Sequence, residues 1–190
     1  ISPVTFSERA VQRIKQREHK VQSLFLDMQL VMGYWGGDSK RADHHTAPVY
    51  DLYALHASLL MLQEEGLENA HRRHRRNHEA LVAGLEAMGL KMAVAAECRL
   101  PQLNSVLIPE GVDDAAVRTA LLEEFDLEIG AGLGALAGKT WRIGLMGYAS
   151  NERNVFGCLN ALEAVLGRSG APINLGGAAL DAAKAAYQAA

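Results

Sequence analysis

A glycine-rich loop leads into a short apolar segment with a single arginine in Gly130-Ala131-Gly132-Leu133-Gly134-Ala135-Leu136-Ala137-Gly138-Lys139-Thr140-Trp141-Arg142-Ile143-Gly144-Leu145-Met146-Gly147. Trp141, Ile143 and Leu145 recur at every second position, which is typical of a strand with one buried face. Arg142 and Gly144 then fall on the opposite face. Because glycine lets the backbone approach a ligand closely, the segment predicts a strand whose arginine lies beside a site.

Arg142 is the candidate binding residue of this segment. Burying a guanidinium beside a core strand is costly unless it meets an anion. Its planar fork can hold a carboxylate or phosphate through two parallel hydrogen bonds. The pattern therefore predicts an arginine that holds an anion at the floor of a site. An ion pair with Glu128 or Asp126 explains the pattern equally well, and the spacing leaves both interpretations open.

The composition is that of an ordinary soluble globular protein. Of the 190 residues, 49% are hydrophobic and 22% are charged, which is enough for a substantial core. A net charge of −3 argues against nucleic acid as the main partner, and no apolar run reaches membrane-spanning length. Cys98 and Cys158 suggest neither a disulfide framework nor a metal site, so we expect a cytoplasmic location.

The first third of the chain is expected to be helical with one long loop. Residues 5–32 carry apolar side chains at roughly helical spacing and predict one helix, as do residues 51–65. Residues 33–50 contain glycines, a proline and polar side chains, which predict a loop. The neighbouring His44 and His45 lack a third ligand at a known spacing, so we expect no metal there and predict that the imidazoles hydrogen-bond the backbone.

Residues 71–78 form a basic run in which His74 and His78 stand four positions apart. That spacing suits a metal, but the four interleaved arginines would repel a cation. We interpret the run as the solvated face of a helix. Nucleic-acid binding is the weaker alternative, because the chain as a whole is acidic.

The rest of the chain alternates helix and strand patterns over residues 66–167. Helices over 66–88, 113–125 and 151–167 and strands over 91–95, 103–108, 127–130 and 140–145 predict an α+β layer. We expect helices on one face of a mostly antiparallel sheet. Residues 168–190 change to a glycine-containing linker and an alanine-rich helix, whose few large apolar residues predict a loosely docked tail.

Several pieces of sequence occur in a specific order: Tyr34-Trp35-Gly36-Gly37, Lys40-Arg41-Ala42-Asp43-His44-His45-Thr46-Ala47-Pro48, Glu65-Gly66-Leu67-Glu68, Glu128-Ile129-Gly130 through Lys139, Trp141-Arg142-Ile143-Gly144-Leu145-Met146-Gly147 and Asn154-Val155. Together they resemble the class V branch of pyridoxal-phosphate aminotransferases. The closest resemblance is to the alanine–glyoxylate and serine–pyruvate aminotransferase group in its bacterial form. The resemblance spans residues 1 to about 167.

This resemblance implies an α/β architecture, fold type I of the pyridoxal-phosphate-dependent transferases. Residues 1–65 would be the end of the large cofactor-binding domain, including a dimer-interface loop. Residues 66–167 would be the small C-terminal α+β domain, and residues 168–190 a linker and tail. The implied cofactor is pyridoxal 5'-phosphate, and the implied substrates are small amino acids and 2-oxo acids.

The resemblance also implies roles for individual residues. Arg142 matches the arginine that holds the substrate α-carboxylate, in agreement with the anion-holding interpretation. Thr46 matches a residue that reaches across a dimer interface to the cofactor phosphate of the neighbouring subunit, which implies a homodimer with shared sites. The Schiff-base lysine would lie upstream of Ile1. The chain therefore looks like a C-terminal portion without a catalytic residue of its own, inactive alone.

Asp43 departs from the family pattern, which usually has tyrosine at this position to help bind the phosphate. A carboxylate about 5 Å from a phosphate would cost about 3 kcal/mol per pair of unit charges at an effective dielectric constant near 20. The cofactor-binding role of position 43 is therefore doubtful.

The expected activity is amino transfer from alanine or serine to glyoxylate or pyruvate. Another class V reaction is the alternative within the family, such as amino transfer involving ureidoglycine or a desulfurase-like reaction. From a different class, a non-catalytic α+β module that binds small anions would also explain the pattern without a Schiff-base lysine.

Overall fold

The computed structural model describes residue 1, residues 3–34 and residues 44–189. The chain divides into two compact units, Ile1–Glu64 and Glu65–Ala190. Among the described helices, none combines the length and the apolar character that a membrane span requires.

The first unit contains α1 (Glu8–Lys15), α2 (Met28–Tyr34) and most of α3 (Val49–Glu65). The prediction of one helix over residues 5–32 was wrong, because α1 ends at Lys15. The apolar stripe is interrupted between Ile14 and Val21 by polar and charged residues only, so no apolar side chain anchors the next turns. The predicted second helix is present as α3, and every residue from Val49 to Met61 is exposed.

The second unit is a four-stranded antiparallel sheet with helices. Its elements are α4 (Leu67–Ala87), β1 (Lys91–Met92), β2 (Leu103–Leu107), α5 (Asp114–Phe125), β3 (Gly130–Ala131), β4 (Thr140–Gly144), α6 (Glu152–Arg168) and α7 (Ala178–Ala189). The strand order is β1-β2-β4-β3, and each neighbouring pair is antiparallel. This arrangement agrees with the α+β layer predicted from the alternating patterns.

The core of the second unit lies on one face of the sheet, against α4, α5 and α6. Trp141 and Ile143 of β4 are 0% and 4% exposed, and Val106 of β2 is 0% exposed. Helix α5 begins where Asp113 accepts a hydrogen bond from Ala116 N, and α6 begins where Asn151 accepts one from Asn154 N. Both caps stabilise the helix ends that border the strands.

The alanine-rich tail packs into the second unit, so the prediction of a loosely docked tail was wrong. Ala179, Ala183 and Tyr187 of α7 are buried. Small side chains let α7 approach α4 closely, and a Cβ added at Gly84 would lie 3.0 Å from the carbonyl oxygen of Ala179. Close approach, rather than bulky side chains, anchors this helix.

Candidate functional site

Arg142 lies in β4 with its side chain on the face opposite the core. Its register partners are Ser105 of β2 and Gly130 of β3. The residue is half-buried, and its Nε donates a hydrogen bond of 2.7 Å to the carbonyl oxygen of Ala131. Strand β4, which the alternation of apolar residues predicted, therefore carries the Arg142 guanidinium on its outer face, as expected from the sequence.

The alternative ion pair with Glu128 or Asp126 is absent from the structure. No carboxylate of the described residues lies within 4.0 Å of the Arg142 guanidinium, and both acids are exposed. Within the same ranges, the two terminal nitrogens of Arg142 form no hydrogen bond. One edge of the guanidinium is thus fixed to the protein, while its forked end is available to a carboxylate.

The two residues beside Arg142 in the sheet, Gly130 and Ser105, are both small. A Cβ added at Gly130 would lie 3.2 Å from Nη2 of Arg142, so a side chain there would displace the guanidinium. On the other side, the carbonyl oxygen of Ser105 accepts a hydrogen bond from Ala93 N and thus points away from β4. Ser105 and Arg142 therefore form a non-hydrogen-bonded pair, the type in which side chains lie closest.

Thr46, the second residue singled out from the sequence, is exposed just before α3. The rings of the preceding His44 and His45 lie at 88° to each other, with 2.9 Å between their Nδ1 atoms, rather than bonding the backbone as predicted. His44 Nε2 is buried and has no partner in the described part of the chain. Asp43 lies outside the described residues. Among those described, no three side chains are grouped to hold a metal ion.

The donors around Thr46 are chemically suited to a phosphate. A hydroxyl can donate a hydrogen bond, an imidazole nitrogen that carries a proton can do the same, and neither group carries negative charge. The cofactor-anchoring part of the expected site therefore fits the residues present.

The basic run on α4 is not a purely solvated face, so that interpretation was wrong. Arg73 Nη1 donates to the carbonyl oxygens of Gly147 (2.8 Å) and Ser150 (2.7 Å). His74 Nε2 accepts a 3.1 Å hydrogen bond from Gly147 N, and His74 Nδ1 donates to the carbonyl oxygen of Ala70 at 2.7 Å. Both ring nitrogens are therefore used, and the bonds define the neutral Nδ1-protonated form.

Two further residues of α4 form buried polar contacts. Asn77 Nδ2 donates to Ser150 Oγ at 3.1 Å and Asn77 Oδ1 accepts from Tyr187 OH at 2.6 Å. His78 Nδ1 donates to Asn104 Oδ1 at 2.6 Å, and Asn104 Nδ2 donates to the carbonyl oxygen of Ile143 at 3.4 Å. The helical spacing of positions 73, 74, 77 and 78 is the only sequence signal that could have revealed this stripe.

The electrostatics of this stripe centre on Arg73. Its guanidinium holds the Glu65 carboxylate through two hydrogen bonds, one of which is 2.8 Å from Nη2 to Oε2. These bonds hold the pKa of Glu65 below its ordinary value and raise that of Arg73. Burial raises the pKa of Tyr187 to about 12, so its hydroxyl keeps the proton that it donates to Asn77 well above neutral pH.

Comparison with known proteins identifies relatives over nearly the whole chain, although no protein-family model matches it. The (S)-ureidoglycine–glyoxylate transaminase of Bacillus subtilis (strain 168) is 38% identical over 206 residues, covering 99% of this chain and 49% of that protein. The crystal structure of ureidoglycine–glyoxylate aminotransferase from Bacillus subtilis matches 97% of this chain and 47% of that one, with 41% identity and a TM-score of 0.87.

Other relatives are named for alanine, rather than ureidoglycine, as the amino donor. The crystal structure of alanine–glyoxylate aminotransferase from Nostoc sp. matches 85% of this chain and 42% of that one, with 48% identity and a TM-score of 0.78. The chain spans about half the length of the relatives it matches.

Proposed function

Since this chain belongs to the class V pyridoxal-phosphate aminotransferases, we propose that the protein carrying it transfers an amino group to a small 2-oxo acid. The donor is alanine or serine and the acceptor is glyoxylate or pyruvate. Glyoxylate is the acceptor common to the names of the relatives compared above. This chain contributes the residue that binds the carboxylate shared by donor and acceptor.

The observation that carries this proposal is the hydrogen bonding of the Arg142 guanidinium. Its Nε is fixed to the carbonyl oxygen of Ala131, and no described carboxylate competes for its forked end. A carboxylate held by two parallel bonds there would gain roughly 1.5–3 kcal/mol per charge-assisted hydrogen bond. Bidentate binding would also orient the Cα–H bond of an amino acid for proton removal.

Pyridoxal phosphate would supply the electron sink for this chemistry. We assign Thr46 to its phosphate, with the His44 imidazole as a second donor, and we place the Schiff-base lysine outside this chain. The role implied for Thr46 makes the protein a homodimer with shared sites. On this assignment the isolated chain binds carboxylates but does not transaminate.

Ureidoglycine is the second candidate donor. It is favoured by the match to the ureidoglycine–glyoxylate enzyme, which includes nearly all of this chain, whereas the alanine–glyoxylate structure matches 85% of it. The same Arg142 would hold the carboxylate in either reaction, so this residue does not discriminate between the donors.

A direct test mixes the complete protein and pyridoxal phosphate with glyoxylate and an amino donor, and measures the glycine that is formed. Alanine, serine and (S)-ureidoglycine are compared as donors at equal concentration. In a parallel series pyruvate replaces glyoxylate, serine and (S)-ureidoglycine are the donors, and alanine is the product measured. Glycine from alanine or serine is the expected result. Glycine from (S)-ureidoglycine alone would establish the second candidate, and no transfer from any donor by cofactor-loaded protein would refute both.

A further inference from the structure

A turn shortly after the Arg142 strand is held by several side chains of one helix. The turn Gly147–Ala149 begins three residues beyond the end of β4. We call Arg73, His74 and Asn77 of α4 the α4 clasp. Arg73 binds the carbonyl oxygens of Gly147 and Ser150, His74 binds the N–H of Gly147, and Asn77 binds the hydroxyl of Ser150.

The backbone groups of Gly147 do not need these hydrogen bonds in order to have a partner. Gly147, Tyr148 and Ala149 are exposed, so water could satisfy their backbone groups at little cost. The protein nevertheless directs a guanidinium and an imidazole at the two backbone groups of Gly147. These bonds fix the position of the turn instead of rescuing a buried polar group.

The clasp residues are themselves held in place. The guanidinium of Arg73 is paired with Glu65, the last residue of α3. His74 is oriented by its bond to Ala70, one turn earlier on α4. Asn77 is 4% exposed and is held from its other side by Tyr187 of α7. A side chain fixed by a second partner positions its first partner well.

The same helix is also linked to β4 beside Arg142, through a residue of β2. His78 holds Asn104, which is 1% exposed, and Asn104 reaches the carbonyl oxygen of Ile143. Helix α4 is therefore linked through Asn104 of β2 to the chain at Ile143, one residue after Arg142, and it binds the turn directly. Only Gly144, Leu145 and Met146 separate these two attachments.

We infer that the α4 clasp positions Arg142 for carboxylate binding, by fixing the turn that follows its strand. The inference rests on the proposed function of Arg142. The clasp residues contact neither substrate nor cofactor in this account and act only through Gly147 and Ser150.

The test uses the complete, cofactor-loaded protein and two kinetic readouts. One is KM for the amino donor, and the other is competitive inhibition by propionate, a carboxylate without an amino group. His74→Leu removes the bond to Gly147 and should raise both constants by ~10-fold or more, since misplacement by about 1 Å can cost ~100-fold. His74→Gln retains an acceptor for the Gly147 N–H and should recover most of the loss.

Two exposed residues of the same helix supply matched controls. His71→Leu makes the same chemical change at a histidine without a hydrogen bond among the described residues, and should leave both constants unchanged. Arg73→Gln provides a second route if His74→Leu does not fold. Its control is Arg75→Gln. Unlike Arg73, Arg75 is exposed and forms no ion pair with any described residue.

The outcomes separate this inference from the proposed function. Absence of transamination in the unmodified protein refutes the proposed function. The positioning role alone is overturned if the unmodified protein transaminates normally and the folded His74→Leu and Arg73→Gln variants show unchanged KM and unchanged propionate inhibition. Failure of His74→Gln to improve on a folded His74→Leu also overturns it, since loss of packing would then explain the defect.

Discussion

The indole Nε1 of Trp141 donates a 3.0 Å hydrogen bond to Asp114 Oδ1 in the first turn of α5. Trp141 is 0% exposed and precedes Arg142 in β4. Its N–H would otherwise be a buried donor without a partner, which is costly. The bond therefore anchors the strand of the candidate site to the helix packed beneath it.

Asp114 should make stability depend on pH in the acidic range. Hydrogen bonds from Arg118 and then from Trp141 hold the pKa of Asp114 below its ordinary value. Its contribution, on the order of 1 kcal/mol, is therefore present above the unfolded-state pKa and is lost as pH falls through the folded-state pKa. Asp114→Asn should lower stability at pH 7 and flatten this dependence.

Denaturant unfolding monitored by far-ultraviolet circular dichroism between pH 7 and pH 3 measures the effect. Asp113→Asn is the matched control, because an asparagine cap can still accept the hydrogen bond from Ala116 N. Equal acid sensitivity of the Asp114→Asn variant and the unmodified protein would contradict the role given to Asp114.

Gly130→Ala should weaken carboxylate binding without disrupting the fold. The new methyl group would lie 3.2 Å from Nη2 of Arg142, so the guanidinium must shift. We expect the KM for the amino donor to rise by roughly tenfold in the complete protein. Gly144→Ala is the control, because an added Cβ there meets nothing within 4 Å. An equal effect of both substitutions would show that the contact with Arg142 is not responsible.

Gly84→Ala should destabilise the packing of α4 against α6 and α7. The added Cβ would lie 2.4 Å from Leu159 Cδ1 and 3.0 Å from the carbonyl oxygen of Ala179. Overpacking of this kind costs roughly 1–3 kcal/mol, so the Tm should fall. Gly157→Ala, where the added atom meets nothing within 4 Å, should instead raise the Tm through better helix propensity. A Gly84→Ala variant as stable as the unmodified protein would refute close packing of α4 against these two helices.

Helix α3 should make this chain aggregate when it is produced by itself. Its exposed apolar residues include Tyr53 at 70%, Leu59 at 53% and Met61 at 55% exposure, and such a patch is unusual on a soluble monomer. Residues 65–190 produced separately should remain monomeric, since their core lies within the second unit. Light scattering distinguishes the two samples, and a monomeric full chain would contradict the prediction.

The local features that sequence predicted best are those set by neighbouring residues. Alternation of Trp141, Ile143 and Leu145 predicted β4 and placed Arg142 on its outer face. The caps and apolar stripes of α5 and α6 likewise lie close in sequence, so pattern reasoning could identify them.

The features that sequence missed depend on contacts between distant residues. His74 and Gly147 are 73 positions apart, and no pattern within α4 reveals that a basic residue there binds a turn. The docking of α7 was missed because alanine contributes little apolar area and acts by permitting close approach. The contribution of Thr46 stays a prediction, since its role was implied by resemblance and not by local chemistry.

Replacing Arg142 by lysine in the complete protein tests the central claim most directly. Lysine keeps the positive charge but loses the planar fork, so KM for the amino donor should rise by ~10-fold to ~100-fold, as expected for a lost charge-assisted bond of about 1.5–3 kcal/mol. Arg153→Lys, at an exposed arginine, should leave KM unchanged. An unchanged KM in Arg142→Lys would contradict the account that Arg142 holds the substrate carboxylate.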